Sequence, residues 1–133
     1  MRFNQPVSAL PPVKVLIADD SVPFAAALRA VLGGEAGIDV VGTAGDGEEA
    51  WQLARQLVPD VVLMDISMPV LDGIEATARI TAELEDVSVL VLTGSAADTD
   101  RLRAAEAGAS GYVLKERIAN ELVGAIRGAA AAC

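Results

Sequence analysis

The chain has 133 residues, of which 53% are hydrophobic and 22% are charged, and its formal net charge is −9. These values are typical of a single globular domain and not of a disordered segment. The negative charge argues against direct binding to nucleic acid or to an anionic membrane surface, and the absence of histidine excludes Ser–His, Cys–His and His-ligated metal chemistry.

The first twelve residues predict an N-terminal arm, because residues 1–12 contain three prolines and no periodic pattern. The arm lacks the continuous apolar core of a signal peptide, and no run in the chain reaches the ~18 apolar residues that a membrane helix needs. A single cysteine, Cys133, excludes an internal disulfide and fits a reducing compartment. We therefore expect a cytoplasmic domain over residues 13–133 that has no contact with a membrane.

The rest of the chain alternates between short apolar runs and segments of helical periodicity. The apolar runs predict five strands, at 14–18, 38–42, 60–65, 88–93 and 111–115. The other segments predict helices at 22–33, between Gly47 and Pro59, at 74–84, near 97–107 and from about Ile118 onward. The first of these helices places Phe24, Leu28, Val31 and Leu32 on one apolar face. This alternation predicts an α/β fold: a flavodoxin-like, doubly wound (βα)5 sandwich of three layers around a five-stranded parallel sheet.

Four of the five predicted strands end in polar residues, namely Asp19-Asp20, Asp65, Thr93 and Lys115. The carboxyl ends of parallel strands lie at one edge of the sheet, where doubly wound folds bind their ligands. Helix capping stays open as an explanation of Asp19 and Asp20, although Ser21 could cap that helix alone. Capping does not explain Lys115, nor Asp65, which lies too far before its predicted helix.

The residue types at this edge suit phosphoryl transfer to a carboxylate. Three carboxylates in one crevice repel each other unless a cation compensates their charge. Mg²⁺ prefers oxygen ligands, a preference that Mn²⁺ shares, while a lysine adds a positive point charge and a threonine adds a neutral donor. A divalent cation, an ammonium and a hydroxyl around one exposed carboxylate make that carboxylate a suitable phosphoryl acceptor.

The same segments resemble the receiver domain of bacterial two-component response regulators, over residues 13 to about 130. The resemblance rests on the acidic pair in VLIADDS, the acceptor strand in VVLMDISMPVLDGIEA, the strand end in SVLVLTGSA and the segment GASGYVLK. Because no proline follows the lysine of GYVLK, the chain looks most like receivers attached to a LuxR/NarL-type helix-turn-helix domain.

The resemblance implies a phosphoacceptor and a metal site. Asp65 matches the phosphoacceptor, which takes its phosphoryl group from a sensor histidine kinase. Asp20, Asp65 and the backbone carbonyl of Ser67 match the ligands of Mg²⁺, and Asp19 would act on the metal through a water molecule.

Three further residues match phosphoryl-binding and switch positions of the family. Lys115 would hold a phosphoryl oxygen, Thr93 would move toward the phosphoryl group, and Tyr112 would turn inward in the active state. Each residue also has a purely structural interpretation. Lys115 is then a solvated strand-end charge, Thr93 an ordinary β-branched strand end, and Tyr112 a half-buried aromatic with a solvated hydroxyl.

The function implied by the resemblance is a phosphorylation-dependent signalling switch, which is not an enzyme beyond gaining and losing its own phosphoryl group. Phosphorylation would alter a partner surface around the fourth helix, the fifth strand and the fifth helix, which together run from about residue 97 onward. In a full-length protein this surface would regulate a DNA-binding output domain or a homodimer, and the receiver itself would not contact DNA. We expect the alanine-rich end of the chain to lead toward such an output domain, which is absent here.

Three other functions are compatible with parts of the pattern. A flavodoxin-like electron carrier would need a hydroxyl-rich loop after the first strand and aromatic residues beside the flavin. A haloacid-dehalogenase-type phosphatase would need a second Asp where Ser67 stands. A receiver-fold adaptor that is never phosphorylated remains the alternative, although such modules usually lose part of the set formed by Asp19, Asp20, Asp65, Thr93 and Lys115.

Overall fold

The computed structural model of the protein describes residues 11–94 and 98–131. Within these ranges the elements are β1 (Val13–Ala18), α1 (Val22–Gly33), β2 (Ile38–Ala44), α2 (Gly47–Leu57), β3 (Val61–Asp65), α3 (Gly73–Glu83), β4 (Ser88–Thr93), α4 (Asp98–Glu106), β5 (Gly111–Leu114), a 3-10 turn (Lys115–Arg117) and α5 (Ile118–Ala131). The predicted alternation of strands and helices is confirmed. The predicted arm lies outside the described residues except for 11 and 12, and it stays a prediction.

The five strands form one parallel sheet in the order β2-β1-β3-β4-β5. The chain passes from β1 outward to β2 and then returns to β3 on the other side of β1. The switch point of the doubly wound sheet therefore lies between β1 and β3. In such folds the crevice at the carboxyl ends of these two strands is the usual ligand site.

Two aliphatic layers cover the two faces of the sheet. Val15 and Ile17 of β1 pack with residues of α1 and α5, whereas Leu16 and Ala18 pack with residues of α2, α3 and α4. Strands that are buried on both faces read as continuous apolar runs, which is why the runs predicted them. The predicted three-layer sandwich is confirmed. No helix within residues 11–94 and 98–131 combines the length and the apolar character needed to cross a membrane.

The first three helices each begin at a side chain that accepts an N–H from the first turn: Ser21 from Phe24 at 3.3 Å, Asp46 from Glu49 at 2.7 Å and Asp72 from Glu75 at 2.8 Å. Ser21 therefore caps α1, and capping does not account for Asp19 and Asp20. Asp19 instead accepts the backbone N–H of Ser21 at 2.8 Å, which orients its carboxylate at the start of the loop.

Several details differ from the sequence-based expectation. β2 runs to Ala44, beyond its predicted end at 42, because its pairing with β1 continues to that residue. Val31 is 53% exposed, because the buried face of α1 is rotated away from it and consists of Ala25, Leu28 and Leu32. Lys115 is not the last residue of β5, which ends at Leu114, but the first residue of the 3-10 turn that follows. The turn still leaves Lys115 at the carboxyl edge of the sheet.

Candidate functional site

The carboxyl ends of β1, β3 and β4 and the turn after β5 enclose an open crevice of about 510 Å³, whose lining includes Asp20, Asp65, Ser67, Thr93 and Lys115. These residues come from four separate segments of the chain. The parallel sheet brings them together because all of its strands end at the same edge.

Three carboxylates converge on this crevice. Asp19, Asp20 and Asp65 each have a carboxylate oxygen that lies within 4.8 Å of an oxygen of the other two. Asp19 and Asp65 are 3% and 5% exposed, whereas Asp20 is open to solvent. Like charges at this separation repel, and burial weakens the screening of that repulsion by water. The arrangement is therefore unfavourable unless positive charge enters the crevice.

Lys115 supplies part of that positive charge. Its Nζ lies 3.3 Å from Oδ1 of Asp65 and 3.5 Å from Oδ2 of Asp19. The side chain of Lys115 is 31% exposed, so this ion pair is only partly screened by solvent. The interpretation of Lys115 as a solvated strand-end charge is therefore wrong, since its ammonium points into the acidic crevice.

The carboxyl group of Asp65 is harder to ionise than an ordinary aspartate. Burial is the main cause that raises its pKa above 3.8, and the negative charge of Asp19 raises it further. Lys115 and the backbone N–H of Ser67 act in the opposite direction and lower this pKa, but they do not cancel the effect. One ammonium is thus insufficient for three carboxylates, and a donor set made only of oxygens fits a hard divalent cation.

The two predicted switch residues occupy different places. Thr93 is 1% exposed at the end of β4 and lines the crevice. Tyr112 lies outside the crevice and is half-buried on β5, where the guanidinium carbon of Arg101 stands 5.0 Å from its ring centroid. Tyr112 and α4 line a separate open groove of about 590 Å³. The structure thus brings Thr93 to the carboxylates and Tyr112 to α4.

Two residues at the crevice were not found from the sequence. The ring centroid of Phe24 lies 4.5 Å from Nζ of Lys115, although the helical pattern assigned Phe24 only to the core. Asp100 of α4 also lines the crevice. Phe24 and Lys115 are far apart in the chain, so no local pattern pairs them. Asp100 looks like any acidic residue in the first turn of a helix.

The parallel fold and its crevice of carboxylates, lysine and threonine define the class of the protein, a receiver-type signalling domain. The family model described as "Response regulator receiver domain" matches residues 15–127, which is most of the chain. The chain therefore belongs to the receiver domain family of response regulators.

Individual relatives agree with this assignment. The chain is 44% identical over 117 residues to the transcriptional regulatory protein LiaR of Bacillus subtilis, covering 88% of this chain and 56% of LiaR. It is 42% identical over 114 residues to the transcriptional regulatory protein LnrK of the same organism, covering 86% of this chain and 52% of LnrK. The chain thus spans about half the length of these relatives.

Solved structures also match over most of the chain. A two-component response regulator of the LuxR family from Aurantimonas sp. SI85-9A1 superimposes with a TM-score of 0.86 at 36% identity, covering 91% of this chain and 86% of that one. The resemblance to LuxR-type response regulators that the segment GYVLK indicated is confirmed.

Proposed function

We propose that this receiver domain is a phosphorylation switch in which Asp65 accepts a phosphoryl group from a histidine kinase. The observation that carries the proposal is the position of Asp65, a buried carboxylate at the end of β3 whose Oδ1 lies 3.3 Å from the ammonium of Lys115. Asp19 is also buried and contacts Lys115, but its Oδ1 accepts the backbone N–H of Ser21, whereas Asp65 lines the open crevice.

In the proposed reaction a carboxylate oxygen of Asp65 attacks the phosphorus of a phosphohistidine. The new P–O bond forms as the P–N bond breaks, and the leaving imidazole takes a proton from water. Lys115 is within reach of an oxygen of the transferred group, because its ammonium already contacts the acceptor carboxylate. The hydroxyl of Thr93, at the crevice wall, is the proposed donor to a second phosphoryl oxygen.

The proposal includes a divalent cation, Mg²⁺ or Mn²⁺, in the crevice. Asp20, Asp65 and the backbone carbonyl of Ser67 would hold it directly, and Asp19 would act through water. The bound cation would offset the charge of the carboxylates and of the incoming phosphoryl group. The convergence of three carboxylates supports this site, since Lys115 contacts only two of them and no other ion pair to them is found among residues 11–94 and 98–131.

The output of the switch is proposed from the LuxR-type relatives. Thr93 and Tyr112 would respond to phosphorylation and alter the surface around α4, β5 and α5. In a full-length cytoplasmic protein this surface would control a DNA-binding output domain or a homodimer. Two relatives are named transcriptional regulatory proteins, which supports this role. The receiver would act without direct DNA contact, as its charge of −9 favours.

The test is intact mass spectrometry after incubation with acetyl phosphate and Mg²⁺. We expect wild type to gain one phosphoryl group, Asp65→Ala to gain none, and chelation of the metal to abolish the gain. Asp39→Asn is the matched control, because Asp39 is exposed on β2 away from the crevice. If wild type stays unmodified under conditions that label another receiver domain, the phosphorylation switch is wrong and the adaptor function is favoured.

A further inference from the structure

The ammonium of Lys115 has a third neighbour besides the two carboxylates. Nζ lies 4.5 Å from the ring centroid of Phe24, in the first turn of α1. A lysine ammonium within about 6 Å of the face of an aromatic ring is attracted by the negative face of that ring. Lys115 is thus held by Asp19, Asp65 and Phe24 together.

The ring of Phe24 is itself fixed in place. The backbone N–H of Phe24 donates to the capping oxygen of Ser21 at 3.3 Å, and its half-buried side chain packs against the core layer between α1 and the sheet. The ring is therefore less mobile than the side chain of Lys115, which has a flexible stem of four methylene groups. The contact thus restricts the movement of the lysine more than that of the ring.

We propose that Phe24 is a positioning residue that keeps the ammonium of Lys115 inside the crevice. The side chain of Lys115 is 31% exposed, so without the ring its ammonium has an open path to solvent. A lysine that must be ordered anew when a phosphoryl group arrives loses conformational entropy at that step. This inference rests on the proposed phosphorylation of Asp65, because the crevice is where the ordered ammonium acts.

If Phe24 contacted Lys115 only by apolar packing, substitutions of Phe24 would have different effects. Leucine fills much of the volume of Phe24 but has no aromatic face, whereas tryptophan keeps the face and strengthens the attraction to a cation. Phe24→Leu and Phe24→Trp therefore separate the two explanations. Trp51→Leu is the control, because Trp51 is another half-buried aromatic whose ring faces Arg55 and Arg79 and not Lys115.

The contact is measurable directly, since Lys14 and Lys115 are the two lysines of the chain. Selective ¹³C labelling of lysine gives two ε-methylene signals in an NMR spectrum, and Lys115→Arg assigns them. We expect the Lys115 protons to be shifted upfield by the ring, to move toward the Lys14 position in Phe24→Leu, and to stay shifted in Phe24→Trp and Trp51→Leu. A Lys115 signal that is unchanged in Phe24→Leu would overturn the proposal.

The consequence is measured as the rate of phosphorylation at saturating acetyl phosphate and Mg²⁺. We expect Phe24→Leu to lower this maximal rate about five-fold, and Phe24→Trp and Trp51→Leu to keep it within about two-fold of wild type. Binding of Mg²⁺ should persist in all three variants, which shows that the carboxylates remain in place.

The outcomes separate this inference from the proposed function. If wild type is phosphorylated and Phe24→Leu has the same rate and the same lysine shift, Phe24 does not position Lys115 and the phosphorylation switch stands. If Phe24→Leu and Phe24→Trp lose rate equally, the role of the ring is only packing and the proposal is wrong. If wild type is not phosphorylated at all, the proposed function fails and the positioning role fails with it.

Discussion

The loop after β3 contains a backbone conformation that an exposed valine rarely adopts. Val70 has a φ of 68° and is 82% exposed. The N–H of Leu71 donates to the carbonyl of Pro69 at 2.7 Å, which closes a three-residue turn around Val70. A turn of this kind with positive φ is strained for a residue with a branched Cβ. We therefore expect Val70→Gly to stabilise the protein.

The size of the effect follows from three contributions. Relief of the strain is worth about 1–3 kcal/mol. The extra freedom of glycine in the unfolded chain offsets about 0.5–1 kcal/mol of this gain. The loss of apolar burial is only about 0.4 kcal/mol, because most of the side chain is already in water. The net gain is about 1 kcal/mol, or a rise of about 3–5 °C in Tm.

Urea unfolding of Val70→Gly and Val31→Gly provides a matched test. Val31 is also exposed, but it lies inside α1 with helical backbone, and glycine there should destabilise by about 1 kcal/mol. The two substitutions remove the same side chain and should have opposite signs. A Val70→Gly variant that is no more stable than wild type would refute the assignment of strain to this turn.

Three further predictions concern the crevice and its support. Without metal, Asp65→Asn should be more stable than wild type near neutral pH, because burial and Asp19 raise the pKa of Asp65. The stability that wild type has below pH 3.8 is lost as the pH rises through the raised pKa, so the urea midpoints of the two proteins should converge in acid. Urea midpoints that differ by the same amount at every pH would contradict this prediction. Mg²⁺ should raise the Tm of wild type by ligand linkage and raise that of Asp20→Asn much less, and an equal rise in both would exclude Asp20 as a ligand. A Cβ on Gly73 would overlap the backbone carbonyl of Asp65, so Gly73→Ala should cost more than about 2 kcal/mol in urea unfolding. Gly124→Ala is the control for Gly73→Ala: nothing lies within 4 Å of the new Cβ, so this substitution should stabilise α5 by about 0.5–1 kcal/mol.

The sequence predicted the features that depend on periodicity and on strand ends. Parallel strands buried on both faces must read as apolar runs, and their carboxyl ends must meet at one edge. The convergence of Asp19, Asp65 and Lys115 could therefore be predicted from the positions of the strand ends in the sequence. The end of β5 was placed one residue late, because the apolar run does not show that Lys115 starts a 3-10 turn.

The features that the sequence did not predict depend on three-dimensional packing. Val31 fits the period of the apolar face, but the face of α1 that is buried in the structure contains Ala25 and leaves Val31 exposed. Phe24 fits the core pattern equally well, and nothing in the sequence shows that its ring also faces Lys115. The positive φ of Val70 contradicts the preference of its residue type, so propensity predicts the opposite conformation.

The elements around the crevice differ in how firmly the core holds them, and this difference predicts where phosphorylation acts. All five residues of β3 are buried, so the strand that carries Asp65 cannot shift without opening both layers. Among the residues of α4, only Ala104 is buried, and Leu102 is 60% exposed. Local stability follows buried apolar contact, so α4 is the element beside the crevice that responds at the lowest cost in free energy.

We therefore expect hydrogen exchange of the backbone amides to change in α4 on phosphorylation and to stay constant in β3. The comparison uses wild type with Mg²⁺ alone and wild type with Mg²⁺ and acetyl phosphate, so that metal is present in both samples, and Asp65→Ala tests whether the change requires this carboxylate. Thr93 at the end of β4 and Asp100 of α4 both line the crevice beside Asp65, so we expect the change to reach α4 from there. A change confined to α1 and α2, on the opposite side of the crevice, would show that the charge at Asp65 is transmitted through β1 instead.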